Sequence, residues 1–174
     1  MIAPKITGIT LLSKEELKKF YKEIPHLFYT AKWNWLRSKG AFSDSAAVTR
    51  YTNSLKIDGL CVDKLLAIRP VLNIDLNNQK YIKGSSFEIA DYDFIIIDPH
   101  TAIINTYLRD ENGETLFLPF NKDSSKGNDF ENSDIKQFLD DFLHNELLKI
   151  DVNKLVDQGY SFKEINKIIN QSER

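Results

Sequence analysis

The sequence predicts an α+β domain, and three observations carry that prediction. Two capped amphipathic helices stand some 120 positions apart, short alternating β-prone runs fill the space between them, and glycine and proline sit at the joints rather than in repeats. The 174 residues include 42% apolar and 28% charged side chains, the balance of an ordinary folded chain. That length supports one domain, with a small appendage at most.

The first helix is expected over about 14–24. Ser13 and Glu16 form a capping box, in which each side chain satisfies a free backbone N–H at the helix start. Leu17, Phe20, Tyr21 and Ile24 then make one apolar stripe, and Pro25 ends it by pushing its predecessor out of the helical region. From Phe28 to Leu76 the pattern turns to strands, through Trp33–Leu36 and Ala47–Tyr51. Asn53-Ser54 and Asp58-Gly59 read as turns into Leu55–Ile57 and Leu60–Val62. Leu65–Leu72 reads as an edge strand or strand end, because Pro70 donates no hydrogen bond.

Asn73 to Gly84 is a polar connector. The second β unit comprises Ser86–Ala90, Tyr92–Ile97, Ala102–Leu108 and Thr115–Phe120, with turns at Asp98-Pro99-His100 and Glu111-Asn112-Gly113. Asn121–Asn132 reads as a mobile loop. A second helix, capped by Ser133 or Asp134, carries Ile135, Phe138, Leu139, Phe142, Leu143 and Leu147 at helical spacing. Two short helices, about 152–158 and 162–170, follow on either side of Gly159, with Ser161 and Glu164 as a second capping box. The organisation predicted is a 1–149 domain, made of a β unit at 26–76 and a hairpin-plus-helix unit at 80–149, with a helical tail at 150–174.

Within the first unit stand Trp33-Asn34-Trp35-Leu36-Arg37-Ser38-Lys39-Gly40, then Ala46-Ala47-Val48, then Ile68-Arg69-Pro70-Val71-Leu72. These residues resemble a domain family of unknown function common in Firmicutes and their prophages, with the hallmark W-W-L-R-S-P-G, A-A-x-V and V-R-P-A-L. The resemblance covers roughly residues 11–143. Asn34 and Lys39 depart from it, where the family usually has tryptophan and proline, as does Ile68 in place of a valine. The W-L-R-S and R-P portion is also similar to the closing strands of C-type-lectin-like domains. That second likeness implies a display scaffold whose loops bind something, and a fold never fixes a function.

The candidate binding residues are Trp33, Trp35, Arg37, Arg50, Tyr51 and Arg69. Trp33 and Trp35, two apart, share one face of a strand, either as an aromatic platform or as core. Arg37 and Arg69 are either forks for a carboxylate or phosphate, or buried scaffold residues. The stretch from Lys39 to Tyr51 is the expected contact surface, with Arg50 and Tyr51 at its end.

Catalysis finds little support in the sequence. Asp91, Asp93, Asp98 and His100 suggest a metal, but an extended strand holds the two pairs about 17 Å apart. His26, His100 and His144 belong to no nucleophile–base motif, and Cys61 reads as a buried, inert thiol. The seven glycines make no phosphate loop, so no cofactor is expected. With 23 Lys+Arg against 25 Asp+Glu, the net charge of −2 argues against a polyanion-coating role. The tail around Leu155–Ile165 is similar to the first half of a helix-turn-helix, yet no recognition helix follows, so nucleic acid is not the expected partner. Leu155, Val156, Ile165, Ile168 and Ile169 suit partner docking or self-association instead.

The longest apolar run, Phe94–Ile97, is too short to span a bilayer, and no leader pattern opens the chain, so a cytoplasmic location is expected. The leading expectation is a non-catalytic protein-binding module of bacterial or phage origin, such as a phage-type inhibitor of a host protein. A small-ligand or glycan sensor using the Trp33/Trp35 face is the alternative, and a metal-dependent enzyme a remote one.

Overall fold

Neighbouring residues of single strands feed two different cores. In the computed structural model, which describes residues 3–28, 32–50, 55–149 and 152–172, Trp35, Ala46, Val48, Leu72, Ile96, Ala102 and Ile104 belong to one buried cluster. Their neighbours Leu36, Ala47, Val71, Ile97 and Ile103 belong to a second. This is the two-residue period of a strand, with both faces buried. It explains why Phe94–Ile97 is uninterrupted by polar residues.

The α+β class holds. Among the described residues, ten strands form two five-stranded sheets. One contains β1 (Lys5–Thr10), β6 (Val71–Asp75), β9 (Thr101–Ile104), β8 (Tyr92–Asp98) and β7 (Ser86–Ile89), in that spatial order and antiparallel throughout. The other contains β10 (Phe117–Leu118), β5 (Leu66–Ala67), β2 (Asn34–Lys39), β3 (Ser45–Thr49) and β4 (Lys56–Cys61). Here β2 and β5 run parallel and the remaining pairs antiparallel.

The sheets do not follow the division into 26–76 and 80–149. β6 leaves the first segment to join β9, and β10 leaves the second to join β5. The exchange happens at Ile68-Arg69-Pro70, between β5 and β6. Pro70 therefore marks a change of sheet rather than a sheet edge. At that corner a missing N–H breaks no ladder.

Helix α1 (Lys14–Glu23) lies where the capping box places it, with Ser13 Oγ accepting from Glu16 N at 3.1 Å and Glu16 Oε1 accepting from Ser13 N at 2.9 Å. Its Leu17 and Phe20 enter the second cluster, against residues from both sheets. Helix α2 (Asp134–Phe142) is capped by Ser133 and puts Ile135 and Leu139 into the first cluster. It continues into a π turn over Leu143–Leu147, marked by the Leu148 N–H donating to Leu143 O at 2.8 Å. Helices α3 (Val152–Asp157) and α4 (Phe162–Ser172) follow, with the Ser161/Glu164 box formed as expected.

Other segments also differ from the sequence reading: β9 and β10 are shorter than the expected Ala102–Leu108 and Thr115–Phe120. β1 is an additional strand, paired with β6 across an irregular register at Gly8. Asp58-Gly59 is no turn between two strands, because β4 continues through it, with an irregular register against β3 between Ala46 and Val48. Gly59 has φ +82°, and a Cβ there would lie 2.1 Å from the Ala46 carbonyl oxygen, so close strand approach requires the glycine. Finally, Asn121–Asn132 is a tethered segment with turns of 3₁₀ helix at Ser124–Lys126 and Phe130–Asn132. Asn121 is buried, donating to Gly127 O and accepting from Asp134 N, both at 2.8 Å. Asn128 Nδ2 donates to the Phe42 and Ser45 carbonyls and ties the segment to the start of β3.

Candidate functional site

Trp35, Arg37 and Arg69 are each engaged in contacts within the fold. Trp35 is 1% exposed, donates Nε1–H to the Leu118 carbonyl at 3.0 Å, and meets Phe120 edge-on at 5.6 Å. Trp33 lies half-buried just before β2, beneath the Arg50 guanidinium at 5.2 Å. With Trp35 in the core, the two indoles do not make an exposed platform. Arg37 pairs with Glu16 and donates to the Leu11 carbonyl, while the neighbouring Ser38 Oγ accepts from Lys14 N at 2.9 Å. Together they bolt the start of α1 onto β2.

Arg69 is buried at the sheet exchange. Its Nε donates to Ile104 O at 3.2 Å and its guanidinium sits 5.4 Å from the Phe28 ring centre. Burial pulls its pKa down to about 10, and it makes no ion pair among the described residues. The hole beside it, reached by Asn34 and Thr49, measures about 10 Å³, room for a water molecule but not for a ligand.

The stretch from Lys39 to Arg50 is divided: Lys39 and the residues 41–44 are exposed, whereas β3 turns inward. Every residue of β3 is buried, and Lys39 with the turn before β3, where Phe42 is 70% exposed, faces outward. Tyr51 lies outside the described residues. The tail presents Val156 and Phe162 at the surface while Ile165 is buried, with Leu155, Ile168 and Ile169 half-buried.

The larger hollow lies elsewhere, where the β7–β8 hairpin, the segment after β9 and the end of α2 converge. It is an open groove of about 820 Å³. Its apolar lining is aromatic: Phe142 meets Tyr92 edge-on at 5.7 Å and stacks with Phe138 at 6.3 Å. Leu116 completes it. Around it stand Asp91, Asp110, Glu111, Asp141 and Glu146, all exposed. A second hollow of about 360 Å³ shares Phe138 and Asp141 with it, so this stretch of α2 forms a ridge between two depressions.

Local sequence builds each wall. The hairpin turns on Ala90 and Asp91 alone, with φ of +51° and +64°, the type I′ pattern that matches strand twist. Arg109 braces that turn by donating to the Asp91 carbonyl at 2.9 Å and lying 4.4 Å from the Tyr92 ring centre. Asp110 Oδ1 accepts from Asn112 N and Glu114 N, folding the opposite wall around Gly113. The π turn then carries Asn145 and Glu146 past the end of α2. Helix carbonyls at that end add to the negative potential.

The chemical groups singled out in the sequence are scattered. Asp91 lines the groove, and Asp98 instead accepts from His100 N at 2.7 Å to close the β8–β9 turn. Among the described residues, no group of three His, Cys, Asp or Glu is placed to hold a metal ion. Cys61 is half-buried rather than buried. The Asp63 backbone N–H pulls its thiol pKa down, but the Asp63 side chain, burial and the Asp44 carboxylate outweigh it and hold the pKa above its ordinary value. A raised thiol pKa disfavours the nucleophilic thiolate. No described helix is long and apolar enough to cross a membrane.

No protein-family model, curated protein or solved structure matches the chain.

Proposed function

We propose that this protein is a non-catalytic protein-binding module whose contact surface is the groove between the β7–β8 hairpin and α2. The observation that carries the reading is the stacked, half-buried Phe138–Phe142 pair, with the buried Tyr92 ring against it, lining an open hollow of about 820 Å³. Partly exposed aromatic side chains in a hollow with a polar rim are the usual composition of interface hot spots. The sequence resemblance to a bacterial and prophage domain family accords with a host or bacterial protein as the partner. The C-terminal helices remain a proposed route to self-association, through the exposed Phe162 and Val156.

A photo-crosslinking residue at Asn145, inside the groove and exposed, tests this against the same residue at Lys56, on the far sheet edge. A discrete protein adduct from Asn145 and none from Lys56 is the expected result in lysate of the source or its host. Adducts that are equal at both positions, or absent at both, would remove the groove as the contact surface.

A further inference from the structure

The groove is far more acidic than the protein that carries it. Its lining holds five carboxylates, Asp91, Asp110, Glu111, Asp141 and Glu146, against the single guanidinium of Arg109. That is a net of −4 in a chain whose total is −2, so the remainder of the molecule carries +2. Arg109 does not offset the rim freely, because its side chain is engaged with the Asp91 carbonyl and the Tyr92 ring. The floor, in contrast, is apolar. An occupant must therefore bring apolar bulk for the Phe138–Phe142 floor and positive charge for the rim; an anionic segment would meet like charge on both walls.

From this geometry we propose that the groove binds a cationic amphipathic segment of a partner protein, with an aromatic or long aliphatic anchor flanked by lysine or arginine. The inference rests on reading the groove as a binding surface, and adds the chemistry of what enters it. The two adjoining hollows on either side of Phe138 and Asp141 provide for a second anchor across the ridge. Aromatic faces toward a flanking ammonium or guanidinium contribute further attraction. Because the rim charges are exposed, they act mainly through encounter rate and selectivity, and salt weakens them.

The test uses the full chain and three synthetic peptides of equal length. One carries Phe and Leu anchors flanked by lysines, one the same anchors flanked by glutamates, and one lysines without anchors. Binding is followed by fluorescence anisotropy, and by amide NMR shifts at Asn112, Asn145 and Glu146. The expected result is binding of the first peptide alone, with shifts confined to the groove and affinity falling about tenfold or more at high salt. The double variant Asp141→Lys, Glu146→Lys changes only exposed positions and should cost about tenfold or more as well.

Equal binding of the glutamate peptide at the groove would overturn the charge assignment while keeping the groove as a binding surface. Equal binding of the anchor-free peptide would overturn the amphipathic requirement. Shifts that avoid the groove would overturn both this inference and the reading beneath it. Self-association of the protein alone that is abolished by the double variant would assign the groove to a second copy and overturn the partner-protein proposal.

Discussion

Tyr92 and Arg109 hold each other twice. The Arg109 backbone N–H donates to Tyr92 Oη at 3.1 Å, and the Arg109 guanidinium lies 4.4 Å from the centre of the Tyr92 ring. Two walls of the groove, the end of the hairpin and the segment after β9, are thus joined through one residue pair. Tyr92→Phe removes the hydroxyl and leaves the ring, so it should cost about 1 kcal/mol in urea unfolding. Arg109→Ala removes the guanidinium and should cost about 0.5–1 kcal/mol. The two losses should fall short of additive in the double variant, since both residues brace the same turn. Strict additivity would show that the walls are held independently.

Ala90 occupies left-handed backbone, at φ +51°, which costs an alanine about 1 kcal/mol. Asparagine tolerates that conformation and is favoured at the first position of a type I′ turn. Ala90→Asn should therefore stabilise the protein by about 0.5–1 kcal/mol, seen as a higher midpoint in thermal melting. A lowered midpoint would contradict the turn geometry.

Gly59 should admit no side chain. The Ala46 carbonyl oxygen stands 2.1 Å from where a Cβ would be built, and φ is +82°. Gly59→Ala therefore forces β4 away from β3, and a loss of about 3 kcal/mol or more is expected. Gly113, also at positive φ but with open space around it, is the control. Gly113→Ala should cost only about 1 kcal/mol. Similar losses at the two sites, measured by urea unfolding, would remove the steric argument.

Arg69 gives a pH signature above neutrality. Burial lowers its pKa from the ordinary arginine value to about 10, so its proton is held less tightly in the folded state. Below pH 10 both states are protonated, and the folded state bears a constant penalty of about 3 kcal/mol. Above about pH 10 the unfolded chain keeps a proton that the folded one releases, so stability rises with pH there. Arg69→Met, which cannot titrate, is the reference. The stability of the natural protein relative to Arg69→Met should increase from pH 8 to pH 11 in paired urea melts. A difference that does not change with pH would exclude the buried-charge account.

The two capping boxes, at Ser13/Glu16 and Ser161/Glu164, and the Ser133 cap were legible because a helix start is written in consecutive residues. β1 was not, since its alternation breaks at Gly8 and its partner β6 lies more than sixty positions away. Gly59 was misread for a physical reason: a glycine demanded by close strand approach and a glycine demanded by a turn look the same in one sequence. Of the six candidate binding residues, Trp35, Arg37 and Arg69 proved to be braces, because a motif dense in aromatics and arginines is as suited to holding strands together as to holding a ligand. The groove was hidden by distance along the chain. Its lining joins residues near 90, 110 and 140, and no single stretch of the sequence contains more than one wall.

The exchange of sheets at Arg69-Pro70 has a consequence for how the chain can be divided. The first sheet needs residues from Lys5 through Ile104, and the second from Asn34 through Leu118. Any cut between 34 and 104 therefore severs both, including one in the polar connector at 77–84 that looks like a linker. Neither fragment would contain a finished sheet, and each would leave strand edges without a neighbour. The two pieces should be aggregation-prone apart and regain structure only by complementing one another, so the chain behaves as one cooperative unit despite having two sheets.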